Sequence, residues 1–341
     1  MTERGSETER DTDRHAVGGI DTLLRLRRKV DLAEIAAQTA ERPRRALLRG
    51  LPDLRYRPWV RRATLAAPDP DAIALALATA RVYAFATADY PGAAVSLVFD
   101  SDGGTAVGAF VLDPTAGTSP VTAFTLTGGV YQILSVPGST ASIATCINGG
   151  GIIAGVYADL SGDAHGFVDN GGVFSTVDFP GATATQVIGV NNAGQIVGDY
   201  IDAAGTEHGF LGSGGAFTPI DFPGASGTAA AGINANGDVV GIWSDATTSH
   251  GFLLQDGVFT PIDFPVSTTT STFGINDGGE IAGFYTDAAG VTHGFVYTGG
   301  AFSIVDVTGA RSTQLTRIKN DGMITGVFTD GLTAQHGLTG Q

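Results

Sequence analysis

Apolar and polar residues alternate in short runs over most of the chain, and glycine-rich turns separate these runs. Residues 227–264 show the pattern, reading GTAAAGIN, the turn ANG, DVVGIWS, the loop DATTS, HGFLLQ, a DG turn and VFTPIDF. Asn-x-Gly and Asp-Gly between β-rich runs indicate tight hairpins, because glycine and asparagine tolerate the positive φ that such turns need. The pattern therefore predicts four short antiparallel strands in this segment.

The same phrases recur along the chain with a period near 43 residues. The dipeptide His-Gly occurs at His165, His208, His250, His293 and His336, which are 43, 42, 43 and 43 residues apart. Weaker copies of the phrases extend the series to six units, which fill residues 82–341. Because a four-stranded unit of about 40–45 residues is a β-propeller blade, the sequence predicts an all-β, six-bladed β-propeller over residues 82–341.

Two prolines and the two ends of the repeat region indicate how the strands are ordered. Pro219 and Pro261 lie in mid-strand, and proline cannot donate a ladder hydrogen bond, so this strand belongs at an outer edge. The Gly- and Ala-rich strand suits the crowded position beside the axis. The region begins with the outer-strand phrase RVYAFATADYPGA and ends with HGLTGQ, where an outer strand is missing. We therefore expect the strand at residues 82–90 to complete the last blade and close the propeller.

Residues 1–81 differ in composition from the repeats. They contain 16 Lys and Arg against 12 Asp and Glu, a net charge of +4. The whole chain has 19 Lys and Arg and 34 Asp and Glu. Residues 82–341 therefore contain 3 basic and 22 acidic residues, a net charge of −19. Helically spaced apolar residues up to Pro43 are followed by a basic stretch that prolines interrupt. Residues 1–81 are therefore predicted to be a basic, partly helical or disordered extension.

Charge and hydropathy exclude several classes of partner. A body with a net charge of −19 repels phosphate backbones, so we expect no nucleic-acid binding. No apolar run is long enough to span a membrane. The run AIALALATA at residues 72–80 has the composition of a signal-peptide core but lies far from the start, so no clean signal peptide is seen. Cys146 is the only cysteine, which excludes an intrachain disulfide.

In five of the six units, the predicted loop between the second and the third strand contains an Asp and a His. A zinc site or acid–base chemistry is one interpretation of such pairs. The alternative is a structural clasp, in which the imidazole hydrogen-bonds the Asp or a backbone carbonyl and closes the loop. We favour the clasp, because a reaction centre should break the symmetry of a repeat rather than follow it, and we expect no metal and no cofactor. The pairs are Asp159 and His165, Asp202 and His208, Asp245 and His250, Asp287 and His293, and Asp330 and His336.

Two cations depart from the repeat pattern in the sixth inner strand, LTRIKN. Arg317 takes the place of Gly232, and Lys319 takes the place of Asn234. One interpretation is simple charge pairing with acidic neighbours such as Asp321 or solvation at the channel mouth. The other is a ligand site, because two cations in a narrow channel would attract a small anion. Arg317 and Lys319 are therefore the candidate ligand-binding residues, and no catalytic residue is identified.

The repeats resemble a known family. The phrases GVNNAGQIVGDYIDAAGTEHGFLGSGG at 189–215 and GINDGGEIAGFYTDAAGVTHGFVYTGG at 274–300 are similar to those of the HAF-repeat family, whose members are described as extracellular repeat proteins. The resemblance covers the repeats but not residues 1–81, and this chain has His-Gly-Phe where the family name implies His-Ala-Phe. It implies an extracellular or cell-envelope location and no particular reaction.

Three functions remain open at this point. We favour a non-catalytic, monomeric binding or surface-interaction module whose partner is a small molecule, a glycan or a protein. The alternative is a six-bladed hydrolase or lyase, of the lactonase or lyase type, with its site in the central channel. That chemistry would need an asymmetric cluster of carboxylates and amides or an unpaired histidine, and the sequence shows no such cluster. A repeat protein without any small-molecule ligand is the third option.

Overall fold

The computed structural model describes residues 83–113, 120–332 and 334–341. These residues form twenty-four β-strands, and none of them is in a helix. The all-β repeat structure predicted from the sequence is confirmed. The extension predicted over residues 1–81 lies outside the described residues.

The strands follow the repeats, with four strands in each of repeats 1 to 5, three in repeat 6 and one strand before the first repeat. Repeat 1 comprises β2–β5, repeat 2 β6–β9, repeat 3 β10–β13, repeat 4 β14–β17, repeat 5 β18–β21 and repeat 6 β22–β24. The bounds are β1 Phe85–Thr87, β2 Val95–Asp102, β3 Thr105–Val111, β4 Thr122–Thr127, β5 Val130–Ile133, β6 Ala141–Ile147, β7 Ile152–Ala158, β8 Ala164–Asn170, β9 Val173–Val177, β10 Ala184–Val190, β11 Ile196–Ile201, β12 Glu207–Ser213, β13 Ala216–Ile220, β14 Gly227–Ile233, β15 Val239–Ser244, β16 Ser249–Gln255, β17 Val258–Ile262, β18 Thr269–Ile275, β19 Ile281–Thr286, β20 Thr292–Thr298, β21 Ala301–Val305, β22 Ser312–Ile318, β23 Ile324–Thr329 and β24 Gln335–Gly340.

Repeats 2 to 5 each form a separate antiparallel sheet whose strands follow chain order. The four sheets are β6-β7-β8-β9, β10-β11-β12-β13, β14-β15-β16-β17 and β18-β19-β20-β21. Pro219 and Pro261 lie in the edge strands β13 and β17, where a residue without an N–H donor is tolerated.

The remaining strands form one eight-stranded sheet, so the prediction of six blades is wrong. The strand order β22-β23-β24-β2-β3-β4-β5 joins repeats 6 and 1. The eighth strand, β1, lies outside this linear order and pairs with β24. The junction is a parallel pairing between Val95 and Gln335. The propeller therefore has four separate four-stranded blades and one eight-stranded sheet. The count was wrong because this junction unites residues from opposite ends of the repeat region, which the pattern within one repeat does not encode.

Strand β1 supplies the outer partner of β24. Phe85 lies opposite Gly340 and Thr87 lies opposite Leu338 in an antiparallel pairing. The N–H of Ala88 then donates a hydrogen bond of 3.0 Å to the carbonyl of Gly337. The first described strand thus covers an edge that β24 would otherwise expose.

The first strands of the repeats surround a common axis. Each first strand contacts the first strand of the next repeat, from β2 through β6, β10, β14 and β18 to β22, and β22 contacts β2. One buried apolar cluster includes first- or second-strand residues of every repeat, among them Phe99, Ile143, Ile188, Phe273 and Val327. The centre of the propeller is therefore a packed core, and side chains close the axis.

A β-bulge lies in every first strand, opposite a second-strand glycine. In repeat 3 the register shifts between Val187 and Gly189, where β10 pairs with β11. A Cβ atom added to Gly198 on β11 would overlap the carbonyl oxygen of Gln186. Glycine is required here because the bulge presses one backbone against the other. The bulge also positions the last residues of each first strand at one end of the axis, where the candidate site lies.

Candidate functional site

The antiparallel order places two sets of connections at opposite ends of the propeller. Hairpin turns between first and second strands lie at one end, which we call the turn end. Loops between second and third strands, with the predicted His and Asp pairs, lie at the other end, which we call the loop end. The candidate residues of the sequence are therefore divided between two separate surfaces.

A cavity of about 320 Å³ opens on the axis at the turn end, and we call it the axial cavity. Every repeat contributes to its wall through the last residues of its first strand and the following turn. Arg317 and Lys319 line it, together with Asp100 and Asp102 of repeat 1. The structure thus brings the two predicted ligand-binding residues together and places them beside two carboxylates.

Four buried asparagines form a chain of hydrogen bonds around the axial cavity. The side-chain amides of Asn148, Asn191, Asn234 and Asn276 each donate to the backbone carbonyl at the corresponding position of the next repeat, over 2.9, 3.0, 3.2 and 3.2 Å. Their Oδ1 atoms accept backbone N–H groups of their own turns. These amides tie adjacent repeats together and are satisfied by the protein itself.

Repeats 1 and 6 interrupt this asparagine series with an acidic and a basic residue. The position of Asn234 is occupied by Asp102 in repeat 1 and by Lys319 in repeat 6. The position of Gly232 is occupied by Asp100 in repeat 1 and by Arg317 in repeat 6. The two unusual repeats are neighbours around the axis, so the charges meet. The sequence reasoning identified the cations but missed both aspartates, although the repeat register contains the signal.

The guanidinium of Arg317 is buried on the axis, with 7% of the residue exposed. Its Nη1 atom donates to the carbonyls of Phe273 at 3.1 Å and of Thr316 at 2.7 Å. Its Nη2 atom donates to the carbonyls of Ile188 and Thr145. Its Nε atom lies 3.6 Å from Oδ2 of Asp100. Arg317 therefore joins repeat 6 to repeats 1, 2, 3 and 5 across the axis.

The ammonium of Lys319 is surrounded by three acceptors. Its Nζ atom lies 2.8 Å from Oδ1 of Asp100, 3.2 Å from Oδ2 of Asp102 and 3.3 Å from the carbonyl of Ile147. Burial disfavours the charged ammonium, but the charges of Asp100 and Asp102 outweigh it and raise the pKa of Lys319 above its usual value. The cation is held in its charged form. The anion site predicted at Arg317 and Lys319 remains a prediction, and an anion there would compete with these two carboxylates.

Cys146 occupies the same repeat position as Arg317 and is fully buried. Burial raises the pKa of its thiol to about 11, so it remains protonated at neutral pH. Cys146 acts as a small core residue here.

At the loop end, each of the five predicted histidines lies between two aspartates. The Nδ1 atom bonds an aspartate that follows the strand paired with the outer side of the histidine's own strand, which is the fourth strand in repeats 2 to 5 and β1 for His336. The Nε2 atom faces the predicted loop aspartate. The Nδ1 distances are 2.8 Å for His165 and Asp178, 2.8 Å for His208 and Asp221, 3.1 Å for His250 and Asp263, 2.7 Å for His293 and Asp306, and 2.7 Å for His336 and Asp89. The Nε2 distances to Asp159, Asp202, Asp245, Asp287 and Asp330 are 3.7, 3.5, 3.6, 3.6 and 3.5 Å.

The loop aspartates mainly hold their own loops. Oδ1 of Asp202 accepts the backbone N–H groups of Ala204 and Thr206, each at 2.8 Å. The backbone hydrogen bonds of Thr247 and the hydroxyl of the same residue lower the pKa of Asp245 to about 2. Because these carboxylates remain ionised, they can face a protonated imidazole.

Aromatic rings connect these histidines from repeat to repeat. His208 stacks on Tyr200 with ring centroids 5.1 Å apart, and Tyr200 stacks on Phe179 of the preceding repeat at 3.6 Å. Repeat 4 repeats this arrangement with His250, Trp243 and Phe222. Both nitrogens of each ring thus face carboxylates, and one face is covered. The arrangement favours a structural role over catalysis, since aspartates at the loop end already face both nitrogens of each of these imidazoles.

The described residues contain no group of three or more His, Cys, Asp or Glu side chains placed to hold a metal ion. No helix in the described part of the chain is long and apolar enough to cross a membrane.

Comparison with known proteins shows the propeller fold and nothing finer. No family model and no curated protein matches the chain. TolB from Acinetobacter baumannii aligns at 12% identity over 70% of this chain and 64% of its own, with a TM-score of 0.51. A variant of AofleA from Arthrobotrys oligospora aligns at 13% identity over 76% and 88%, with a TM-score of 0.48. The fucose-specific lectin from Aleuria aurantia aligns at 11% identity over 75% and 96%, with a TM-score of 0.46.

Proposed function

We propose that the protein is a non-catalytic, monomeric binding module whose ligand is a small polar molecule, free or part of a glycan or protein, held in the axial cavity. The proposal includes membership of the HAF-repeat family and a location outside the cell or in the cell envelope. These two parts are supported by the resemblance of residues 189–215 and 274–300 to that family.

One observation carries the proposal: the charged residues that break the repeat pattern meet on the wall of one cavity. Asp100, Asp102, Arg317 and Lys319 all line the axial cavity. A purely structural repeat would keep asparagine and glycine at these positions, as repeats 3, 4 and 5 do. Specific recognition needs a few polar groups at fixed places in a concave site, and these four side chains are fixed by one another.

The chemistry of the wall favours a polar ligand that donates hydrogen bonds. Asp102, Asp277 and Asp321 line the cavity beside Lys319, and none of its described lining residues is aromatic. Hydroxyl and ammonium groups of a ligand would find carboxylate acceptors there. A flat apolar ligand would find no ring on which to stack.

The test is calorimetric titration of the protein with a neutral sugar, a small primary amine and a small carboxylate. The matched variant is Asp102→Asn with Lys319→Asn, which gives repeats 1 and 6 the asparagine of the other four. The buried carboxylate of Asp100 loses Lys319 but keeps Nε of Arg317 at 3.6 Å and the backbone N–H of Ile147 at 3.0 Å. No buried charge is therefore left alone, so the fold should persist. We expect at least a tenfold loss of affinity, about 1.4 kcal/mol.

The control variant is Asp256→Asn, which removes one charge from an exposed turn whose φ of 51° suits asparagine. It should bind like the parent protein. Unchanged affinity in the double variant would place the ligand elsewhere and contradict the proposal. The carboxylate titration, repeated at high salt, also tests the narrower prediction of an anion at Arg317 and Lys319.

A further inference from the structure

A second cavity lies between repeats 2 and 3, and we call it the inter-repeat cavity. It encloses about 330 Å³ and shares one lining residue, Val190, with the axial cavity. Its walls are mostly apolar and include Ile152 and Val168 of repeat 2 and Ile196 and Phe217 of repeat 3. No feature of the proposed function uses this space.

One glycine on the wall of the inter-repeat cavity stands where repeats 4 and 5 have a large side chain. Gly212 lines it and stands in the third strand, between Ile196 on one neighbouring strand and Phe217 on the other. Repeats 4 and 5 place Leu254 and Tyr297 at the position of Gly212. Repeat 3 therefore lacks a large side chain that these repeats have at this point.

Repeat 5 shows what fills the equivalent space. Tyr297 pairs with Ile281 and Phe302 in the same register that Gly212 has with Ile196 and Phe217. Its ring packs against a buried cluster that includes Ile281 and Ile275, and it lies 4.8 Å from the ring of Phe302. Ile275 corresponds to Val190 in the repeat alignment.

We propose that the inter-repeat cavity is a second binding site, which takes a neutral aromatic group about the size of a phenol ring. The flanking Ile and Phe side chains are the same as those that hold Tyr297 in repeat 5. Apolar walls of this kind gain free energy by removing an aromatic ring from water. The ligand is neutral because Asp178 lines the cavity and the net charge of residues 82–341 is −19, so an aromatic carboxylate would be repelled.

The probe is 4-fluorophenol, observed by fluorine NMR titration of the full chain, with 4-fluorobenzoate as its anionic counterpart. We expect one 4-fluorophenol site per chain and at least tenfold weaker binding of 4-fluorobenzoate. The filling variant is Gly212→Tyr, which copies the Ile281, Tyr297 and Phe302 combination of repeat 5. It should abolish binding of 4-fluorophenol. A Cβ at Gly212 comes within 2.8 Å of Ile196 Cγ1, a flexible side chain that repeat 5 accommodates.

The matched gain-of-site variant is Tyr297→Gly, which should open the equivalent space between repeats 4 and 5. It is expected to raise the stoichiometry from one probe molecule to two. If Gly212→Tyr does not fold, Gly212→Leu, which copies Leu254 of repeat 4, is the second filling variant. No binding to the parent protein, or unchanged binding in a folded filling variant, would overturn the proposal. Neither result would affect the axial cavity, because its charged residues are untouched.

Discussion

Each histidine at the loop end is a titratable group fixed between two carboxylates. In repeat 3, Asp221 accepts from Nδ1 of His208, and Asp202 lies 3.5 Å from Nε2. Burial disfavours the charged imidazole, but the hydrogen bonds and charges of Asp221 and Asp202 outweigh it and raise the pKa of His208. The same balance, with Asp89 and Asp330, raises the pKa of His336. Protonation therefore strengthens these contacts.

Stability should consequently fall as pH rises from about 6 to about 9. A histidine whose folded pKa lies above the ordinary value of 6.5 stabilises the protein fully below that value. The stabilisation is lost as pH rises through the folded pKa. The pKa of Asp245 is lowered to about 2, so its contribution does not change in this window. Urea unfolding at the two pH values measures the difference.

The variant His208→Ala with His336→Ala should reduce this pH dependence. Each substitution should also cost about 1–2 kcal/mol of unfolding free energy at mildly acidic pH, since one hydrogen bond and one ring contact are lost. The two effects should add, because the two loops share no partner. An equally steep pH dependence in the double variant would show that other groups control it.

The sequence pattern located these histidines and their loop aspartates but missed their second partners. His165 and Asp178 are 13 residues apart and meet because the third and fourth strands are antiparallel neighbours. In the same way, Asp100 meets Arg317 because the two residues share one repeat position in neighbouring repeats. Both contacts depend on strand register, which the spacing of residues along the chain does not show.

At the scale of the element, the strands were the most predictable feature. The four runs read from residues 227–264 correspond to β14, β15, β16 and β17, because Asn-x-Gly and Asp-Gly turns mark their ends. The bulge in each first strand was not predicted. It depends on the contact between Gly198 and the backbone of Gln186, and a glycine in a strand pattern does not show what it faces.

This contact makes Gly198→Ala strongly destabilising. The added Cβ would overlap the carbonyl oxygen of Gln186, and neither backbone can move without disturbing the β10 and β11 pairing. We expect a loss of about 3 kcal/mol in unfolding free energy, the upper end for overpacking. Chemical denaturation measures it. Gly331→Ala is the control, because a Cβ at Gly331 would have no atom within 4 Å. Equal effects of the two substitutions would show that the close approach is not what requires glycine.

At the scale of the whole molecule, the junction between repeats 6 and 1 concentrates the unusual features. The eight-stranded sheet, the ion pairs of Asp100 and Asp102 with Arg317 and Lys319, and the pairing of β1 with β24 all lie there. A ring of repeats must be closed where the two ends of the repeat region meet, and the internal repeats cannot supply that closure. The same residues that strengthen the junction also line the axial cavity, so stability and proposed binding are linked at this place.

Strand β1 should therefore matter to the whole propeller, although it is only three residues long. It covers the edge of β24, and Asp89 beyond it bonds His336 at 2.7 Å. Tyr90 stacks on Phe110 with centroids 3.7 Å apart. Deleting residues 82–92 removes all of these contacts and exposes an unpaired strand edge. We expect the unfolding temperature to fall by roughly 6 °C or more, which corresponds to about 3 kcal/mol for a domain of this size.

A synthetic peptide of residues 82–92 added to the deleted protein provides the decisive control. If the loss arises from the missing strand, the peptide should pair with β24 and raise the unfolding temperature with increasing concentration, as any ligand of the native state does. A peptide with Asp89→Asn keeps the strand but removes the charge that faces His336. It should raise the unfolding temperature less than the unchanged peptide does. A deleted protein that melts like the parent would show that β1 does not stabilise the junction. Loss without rescue would instead mean that residues 82–92 act through contacts outside β24.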